Sequence, residues 1–259
     1  MGLRPLHDPA EGPLKLIALM SGSGTNVRRV LELRDRLREA EGRSPFLVAA
    51  IFSDRWDSQA AAIGRDFDLP VVTHDLNAWL ARSGVDRKDL ARREEFDRQT
   101  VAMLRPFGAA AAIYGGYMAI ASPTLVNAFL GVNVHPADLS VLTAEGKRRF
   151  VGAHAVSDAI AAGERAIHAT THLVAREVDM GPLLMISAPV PVEVPLGADL
   201  ARPEVLARVA EANQERLKAA GDWVIFPRTI AEIARGSFQR DDAGAIYYRG
   251  RPVPGGMRL

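Results

Sequence analysis

The chain has 259 residues, 48% of them hydrophobic and 24% charged, and 32 Lys and Arg against 31 Asp and Glu leave a formal net charge of +1. No global field therefore draws nucleic acid or an anionic membrane, so the expected partners are small molecules and any anion site must be local. The absence of cysteine excludes disulfides and thiolate chemistry and points to a cytoplasmic protein, while no apolar run approaches the roughly 20 residues that span a bilayer.

The first residues, MGLRPLHDPA, lack a signal-peptide core, and residues 1–13 read as a flexible lead-in to one domain covering 14–259. From Leu14 short apolar runs alternate with amphipathic stretches. The predicted strands are Leu14 to Met20, Phe46 to Phe52, Pro70 to Thr73, Ala109 to Tyr114 and Val132 to His135. The predicted helices are Asn26 to Glu39, Ser58 to Asp66, Asp89 to Leu104 and Pro123 to Ala128. This alternation predicts an α/β fold with a doubly wound, mostly parallel sheet over 14–136. The densely charged stretch from Asn77 to Arg98 reads mainly as a solvated helical excursion.

After Pro136 the texture changes. A charged segment, TAEGKRRFVG, leads to a helix over Ala153 to Ala161 and two β-rich stretches, Ala166 to Ala175 and Leu183 to Val192. These can pair antiparallel around the VDMGP turn. A helix over about Pro203 to Ala220 and a hairpin turning at Asp242 to Gly244 complete a C-terminal half, 137–259, with an antiparallel β addition.

The loop SGSGTN follows the first strand. Glycines at 22 and 24 permit close backbone approach, and the start of the next helix favours an anion. A dinucleotide fingerprint fails at Val27, which stands where a third glycine is needed. A triphosphate loop fails at Thr25-Asn26, where Lys-Ser/Thr is needed. A small phosphate held by Gly22, Ser23, Gly24, Thr25 and Asn26 remains, alongside a plain turn capped by Thr25 or Asn26.

GVNVHP is more specific. Asn133 and His135 are at i and i+2 at the end of an apolar strand, so both point to one face, where an open parallel sheet collects its ligands. An amide that donates to an oxyanion, beside an imidazole that donates a hydrogen bond or a proton, is an acyl-transfer pairing. In REVDMGP, Asp179 offers a carboxylate to take the proton of an attacking amine, or simply a turn former. His172 is a strand histidine that faces the same site in this reading, with His168 on the same face four residues earlier. Two histidines and an aspartate raise a metal, but their spacing matches no ligand pattern, and no metal is expected.

In this order the elements resemble the 10-formyltetrahydrofolate-dependent formyltransferases, and within them the branch that formylates phosphoribosylglycinamide in purine synthesis. The resemblance is carried by IALMSGSGTNVRRVLE, REEFDRQ, GGYMAIASPTLVNAFLGVNVHP, AIAAGERAIHATTHLVAREVDMGPLLMISAPVPV and DWVIFPRTI, and runs from about Leu14 to the final hairpin. It implies the family's Rossmann-like variant. It also implies a catalytic trio of Asn133, His135 and Asp179, and a substrate phosphate on Gly22 to Asn26. Arg93 would meet a substrate carboxylate and Asp222 the ribose, with Lys218 near a phosphate. The co-substrate 10-formyltetrahydrofolate would lie between Tyr117, Met118, Ala119 and Ile120 on one side and Val178 and Asp179 on the other, with His172 in support. A monomer or homodimer is expected.

The chain departs from the family pattern in three places, one of them the additional length before Arg93. Ala119 stands where members have arginine, and after NVHP the sequence ADLSVLTAEGKRRFVGAH is longer and basic. The other activities of the same core, formyl transfer to initiator methionyl-tRNA or sugar nucleotides and hydrolysis of the folate, stay open at this level. A non-catalytic binding homologue stays open as well.

Overall fold

The computed structural model describes residues 2–259. A short strand, β1 (Arg4–Pro5), precedes five strands that form the middle of the molecule. These are β2 (Leu14–Met20), β3 (Phe46–Ser53), β4 (Val71–Thr73), β5 (Ala111–Tyr114) and β6 (Leu130–His135). They pair in parallel in the order β6-β5-β2-β3-β4. Each lies where the alternation of the sequence placed it. In β2, LKLIALM, only Lys15 is exposed, the near-continuous burial expected of a strand covered on both faces.

The covering helices are α1 (Thr25–Glu41), α2 (Ala60–Asp66), α3 (Leu76–Ser83), α4 (Leu90–Leu104) and α5 (Pro123–Ala128). One face of the sheet packs Val27, Val30 and Leu31 of α1 with Phe46 and Ile51. The other packs Ile17, Leu19 and Phe52 with Val101 and Leu104 of α4. The charged 77–98 stretch is thus not wholly solvated. It splits into α3 and α4, and α4 buries Arg93, Phe96, Asp97 and Thr100 on its inner face. Charge along the sequence concealed that face because two of its members are themselves ionisable.

In the second half, α6 (Ala155–Ala161) leads to β7 (Ala166–Ile167), β8 (Thr170–Leu173), β9 (Leu183–Ile186) and β10 (Val190–Pro191). Strand β8 pairs antiparallel with both β6 and β9, and β7 with β10, so the VDMGP turn joins antiparallel neighbours as expected. Helix α7 (Pro203–Leu217) continues through a π-helical turn, Lys218–Asp222, into α8 (Trp223–Ala234). The sequence-based expectation ends this helix near Ala220, whereas it runs on to Ala234. Pro227 lies early in α8, where its missing N–H removes one backbone bond. Burial of Ile225, Phe226, Ile230 and Ile233 outweighs that loss.

Strands β11 (Phe238–Arg240), β12 (Ile246–Tyr248) and β13 (Arg251–Pro252) form the expected hairpin and its extension, and β14 (Met257–Arg258) returns to the main sheet beside β9. The lead-in expected to be flexible is instead tied down: Arg4 and Pro5 of β1 face Arg240 and Gln239, and Leu6 N–H donates to Phe238 O at 2.9 Å. Its partner strand lies at the far end of the chain, so no local pattern announces the pairing.

From β2 the chain builds outward through β3 and β4, then crosses back to place β5 on the other side of β2. The reversal lies between β2 and β5, where the connections diverge and leave a crevice at the carboxyl ends of the strands. Two contacts tie the loops there: Ser21 N–H donates to Gly116 O at 3.0 Å, and Met118 N–H donates to Ser21 Oγ at 2.8 Å.

Candidate active site

The loop after β2 opens into the crevice. Gly24 is the N-cap of α1 at φ +63°. A Cβ there would stand 2.6 Å from both Ile63 Cδ1 and Met20 Cε at a left-handed backbone, so the turn favours glycine. No side chain caps α1, which removes the plain capped turn and leaves first-turn N–H groups available to an anion. Gly22 and Ser23 are exposed beside them.

Asn26 reaches across the crevice, its Nδ2 donating to Asp222 Oδ2 at 3.5 Å. Asp222, in the π-helical turn, is buried. Burial pushes its carboxyl up to about 7 against the opposing effects of the Asn26 hydrogen bond and the Lys218 charge. Asn26 Oδ1, Asp222 Oδ1 and Trp223 Nε1 are all buried without hydrogen-bond partners. Lys218 itself pairs with Glu215 one turn away.

The other side of the crevice holds the expected trio. Asn133 and His172 are directly opposed across the β6–β8 pair, as are His135 and Thr170. Asn133 Nδ2 is 3.2 Å from His172 Nε2, and His172 Nδ1 donates to Leu173 O at 2.8 Å. Asp179 reaches both rings, with Oδ2 3.3 Å from His135 Nδ1 and Oδ1 3.5 Å from His172 Nε2. Its backbone is left-handed, at φ +57°. Burial raises the Asp179 carboxyl, but the His172 hydrogen bond, the His135 charge and the Gly152 N–H together hold it down at about 2.

His135 Nε2 donates to Phe150 O at 2.9 Å. Both ring nitrogens thus face acceptors, an arrangement fully satisfied only by the imidazolium. Burial opposes that charge more strongly than Asp179 supports it and lowers the ring below its ordinary value. The folded protein therefore disfavours the second proton on the ring, and a negative charge developing beside it would strengthen the ring's hold on that proton, which is the situation of a group facing a developing oxyanion. Phe150 O competes with such an oxygen for the Nε2 proton.

The cleft walls are apolar and open. Met118, with 72% of its surface exposed, and Ile120 stand on one loop; Val178 and Met180 stand on the Asp179 turn; Leu142 and Val151 stand on the long basic loop. Tyr117 departs from expectation: its ring is buried against Phe52 and Tyr114 in the core, with Met118 turned outward instead. Arg93 departs too. It is 4% exposed on the inner face of α4, its guanidinium 5.0 Å from the Phe96 ring and within the influence of Asp54 and Asp97, and its Nε and Nη2 are buried without partners. His168 does not join His172, because the strand breaks between Ile167 and Thr170, and its Nδ1 donates to Ser187 O at 2.9 Å. Among the described residues no cluster of three or more His, Asp or Glu is placed to hold a metal ion.

Several supporting groups were not legible in the sequence. Asp97 Oδ2 accepts from Ser122 N–H at 2.6 Å and Glu94 Oε1 from the Thr124 hydroxyl at 2.7 Å, which anchors the far end of the Met118 loop to α4. Phe150 O, Gly152 N–H and Arg148, all from the long basic loop, contact the trio or its turn.

A doubly wound sheet with a glycine loop at its reversal point and an Asn–His–Asp constellation at the carboxyl end of β6 is the framework of an enzyme of the α/β class. More particularly, the chain belongs to the formyl transferase family, whose model matches residues 14–220. It is 32% identical over 233 residues to the phosphoribosylglycinamide formyltransferase of Mycobacterium tuberculosis (strain CDC 1551 / Oshkosh), covering 89% of this chain and 94% of that one. It is 25% identical over 243 residues to the enzyme of the same name from Escherichia coli (strain K12), covering 93% and 96% of the two chains. Among solved structures, glycinamide ribonucleotide transformylase 1 from Symbiobacterium toebii superposes with a TM-score of 0.61 at 25% identity, over 89% of this chain and 92% of that one.

Proposed function

We propose that the chain transfers the formyl group of 10-formyltetrahydrofolate to the amine of glycinamide ribonucleotide, the reaction for which its relatives are named. The observation that carries the chemistry is the meeting of Asn133, His135 and Asp179, from two strands and a turn, within contacts of 3.2 to 3.5 Å bridged by His172. The phosphate rests on Gly22 to Asn26 at the N-terminus of α1, and the ribose hydroxyls take up the unpartnered oxygens of Asp222 and Asn26. The folate lies between the Met118 loop and the Asp179 turn, whose exposed Met118, Ile120, Val178 and Met180 suit its aromatic body. Glycinamide carries an amide and no carboxylate, so the acceptor offers Arg93 no carboxylate to pair with, and Arg93 keeps two buried guanidinium nitrogens without partners.

The acceptor amine attacks the formyl carbon, a C–N bond forms, and negative charge develops on the formyl oxygen. The Asn133 amide and the His135 Nε2 proton, once released from Phe150 O, stabilise it. Asp179, ionised and already facing His135, takes the amine proton directly or through water and returns it to N10 as the N10–C bond breaks. The products are the formylated ribonucleotide and tetrahydrofolate. The lack of cysteine suits a cytoplasmic setting.

The test is an assay of purified protein with 10-formyltetrahydrofolate, with and without glycinamide ribonucleotide. Tetrahydrofolate release that requires the acceptor supports transfer. Release independent of acceptor identifies a hydrolase, and folate binding without release identifies a non-catalytic homologue.

A further inference from the structure

The basic loop that departs from the family pattern folds into a small hairpin. Leu142 and Arg148 bridge antiparallel, Thr143 N–H donates to Lys147 O at 2.7 Å, and Gly146 N–H donates to Thr143 O at 3.0 Å. This presents Arg148 to the turn carrying Asp179. Its Nη1 donates to Asp179 O and its Nη2 to Gly181 O at 2.8 Å. Among the described residues no backbone N–H donates to either carbonyl, so the two prongs of one guanidinium satisfy both. At the start of this clamped stretch Asp179 itself sits at φ +57°, a conformation a non-glycine residue keeps only when its surroundings enforce it.

We infer that Arg148 is a positioning residue for the transfer reaction, its fork locking the 178–181 turn so that the Asp179 carboxylate is aimed at His135. The inference rests on the formyl-transfer reading above. Lysine cannot replace the fork, since a single ammonium cannot hold two carbonyls in fixed geometry. The next contacts along the same loop, Phe150 O on His135 and Gly152 N–H on Asp179 Oδ2 at 2.8 Å, register the hairpin against both catalytic groups.

The charge of Arg148 has a second consequence. His135 is faced by Asp179 from the turn, by His172 from β8 and by Arg148 from the loop. Asp179 favours the imidazolium, whereas His172 and Arg148, together with burial, oppose it. Removing the Arg148 charge therefore raises the pH at which His135 loses its proton, whereas Arg148→Lys leaves that pH in place.

The experiment compares wild type, Arg148→Met and Arg148→Lys by steady-state kinetics across pH, and by amide hydrogen exchange at Met180 and Gly181 in the ligand-free protein. Arg148 is only partly buried, and thermal melting checks that each variant is folded. Both variants should lose about ten- to a hundred-fold in kcat, with acceptor KM changed less than about twofold and exchange accelerated in the turn. Arg148→Met should also shift the alkaline limb of the kcat profile upward, a change that simple loosening of a surface loop would not produce. Wild-type kcat, limb position and exchange in Arg148→Met would overturn the inference, as would full rescue by Arg148→Lys. If wild type transfers no formyl group, the functional reading has failed, and exchange alone then decides: acceleration in both variants supports the clamp and unchanged exchange refutes it.

Discussion

Asp179 Oδ2 stands 3.3 Å from His135 Nδ1 and accepts the Gly152 N–H at 2.8 Å, so one carboxylate oxygen links the trio to the basic loop. Converting it to an amide keeps the shape and removes the base. Asp179→Asn should lower kcat by about two to four orders of magnitude, with substrate KM values nearly unchanged and the fold intact. His135→Ala should lose a comparable factor. Near-wild-type turnover in either variant would remove the trio from the mechanism.

The same carboxylate predicts an acid-side stability change. Its pKa falls from an ordinary 3.8 to about 2 in the folded protein, so its contribution is present above pH 3.8 and disappears as pH falls through 2. That drop corresponds to about 2 kcal/mol. Urea unfolding at about pH 5 and about pH 2.5 should therefore show a steeper acid loss in wild type than in Asp179→Asn. Equal slopes would mean that the His172, His135 and Gly152 contacts do not favour the anion.

Asp222 behaves in the opposite sense. Its carboxyl, raised to about 7 by burial, contributes stability below its ordinary 3.8 that is lost as pH rises through 7. The full span is worth about 4 kcal/mol at most, since water entering the crevice reduces it. Asp222→Asn cannot ionise, so it should melt higher than wild type at about pH 8, with the advantage shrinking as pH falls and vanishing below the ordinary value of 3.8. A variant that melts lower than wild type throughout that range would show the carboxyl to be a structural acceptor for Asn26 and nothing more.

The strands of the parallel half were readable because each is a buried apolar run bounded by polar helix starts, and periodicity alone places such runs. The Asn133–His135 pair was readable because period two fixes a common face, and Asp179 because its turn has a distinctive composition. What escaped was set by contacts remote in sequence. Arg4 and Pro5 form a strand only because Gln239 and Arg240 lie beside them. Arg93 and Asp97 looked solvated because charge was their only local signal, yet the helix turns them inward. Phe150 and Gly152 act through backbone atoms, which every residue possesses, so no spacing could have singled them out.

Two glycines of the loop after β2 separate binding from folding. A Cβ at Gly22 would meet no heavy atom within 4 Å, and the residue is exposed, so Gly22→Ala should leave the melting temperature unchanged. If the loop holds the acceptor phosphate, acceptor KM should still rise, because a methyl group intrudes on the anion's approach. Gly24→Ala adds a Cβ 2.6 Å from Ile63 Cδ1 and Met20 Cε at a left-handed backbone, and should cost about 1–3 kcal/mol of stability as well. Unaltered acceptor KM in a folded Gly22→Ala protein would move the phosphate elsewhere.

Gly181 supplies the most severe steric test of the catalytic turn. A Cβ there would lie 1.7 Å from Leu173 O, a backbone atom of β8 that cannot rotate away. Leu173 N–H in turn donates to Pro182 O at 2.9 Å, so the two strands are held at this separation next to the residue. Gly181→Ala must therefore push the turn outward, stretch the bond from Arg148 to Gly181 O and swing Asp179 away from His135. The expected outcome is a loss of about 3 kcal/mol or more together with a fall in kcat larger than any change in acceptor KM, measured by chemical unfolding and steady-state kinetics. The opposite pattern, a stable protein with normal kcat, would show that the turn can reach its catalytic position by a different backbone path.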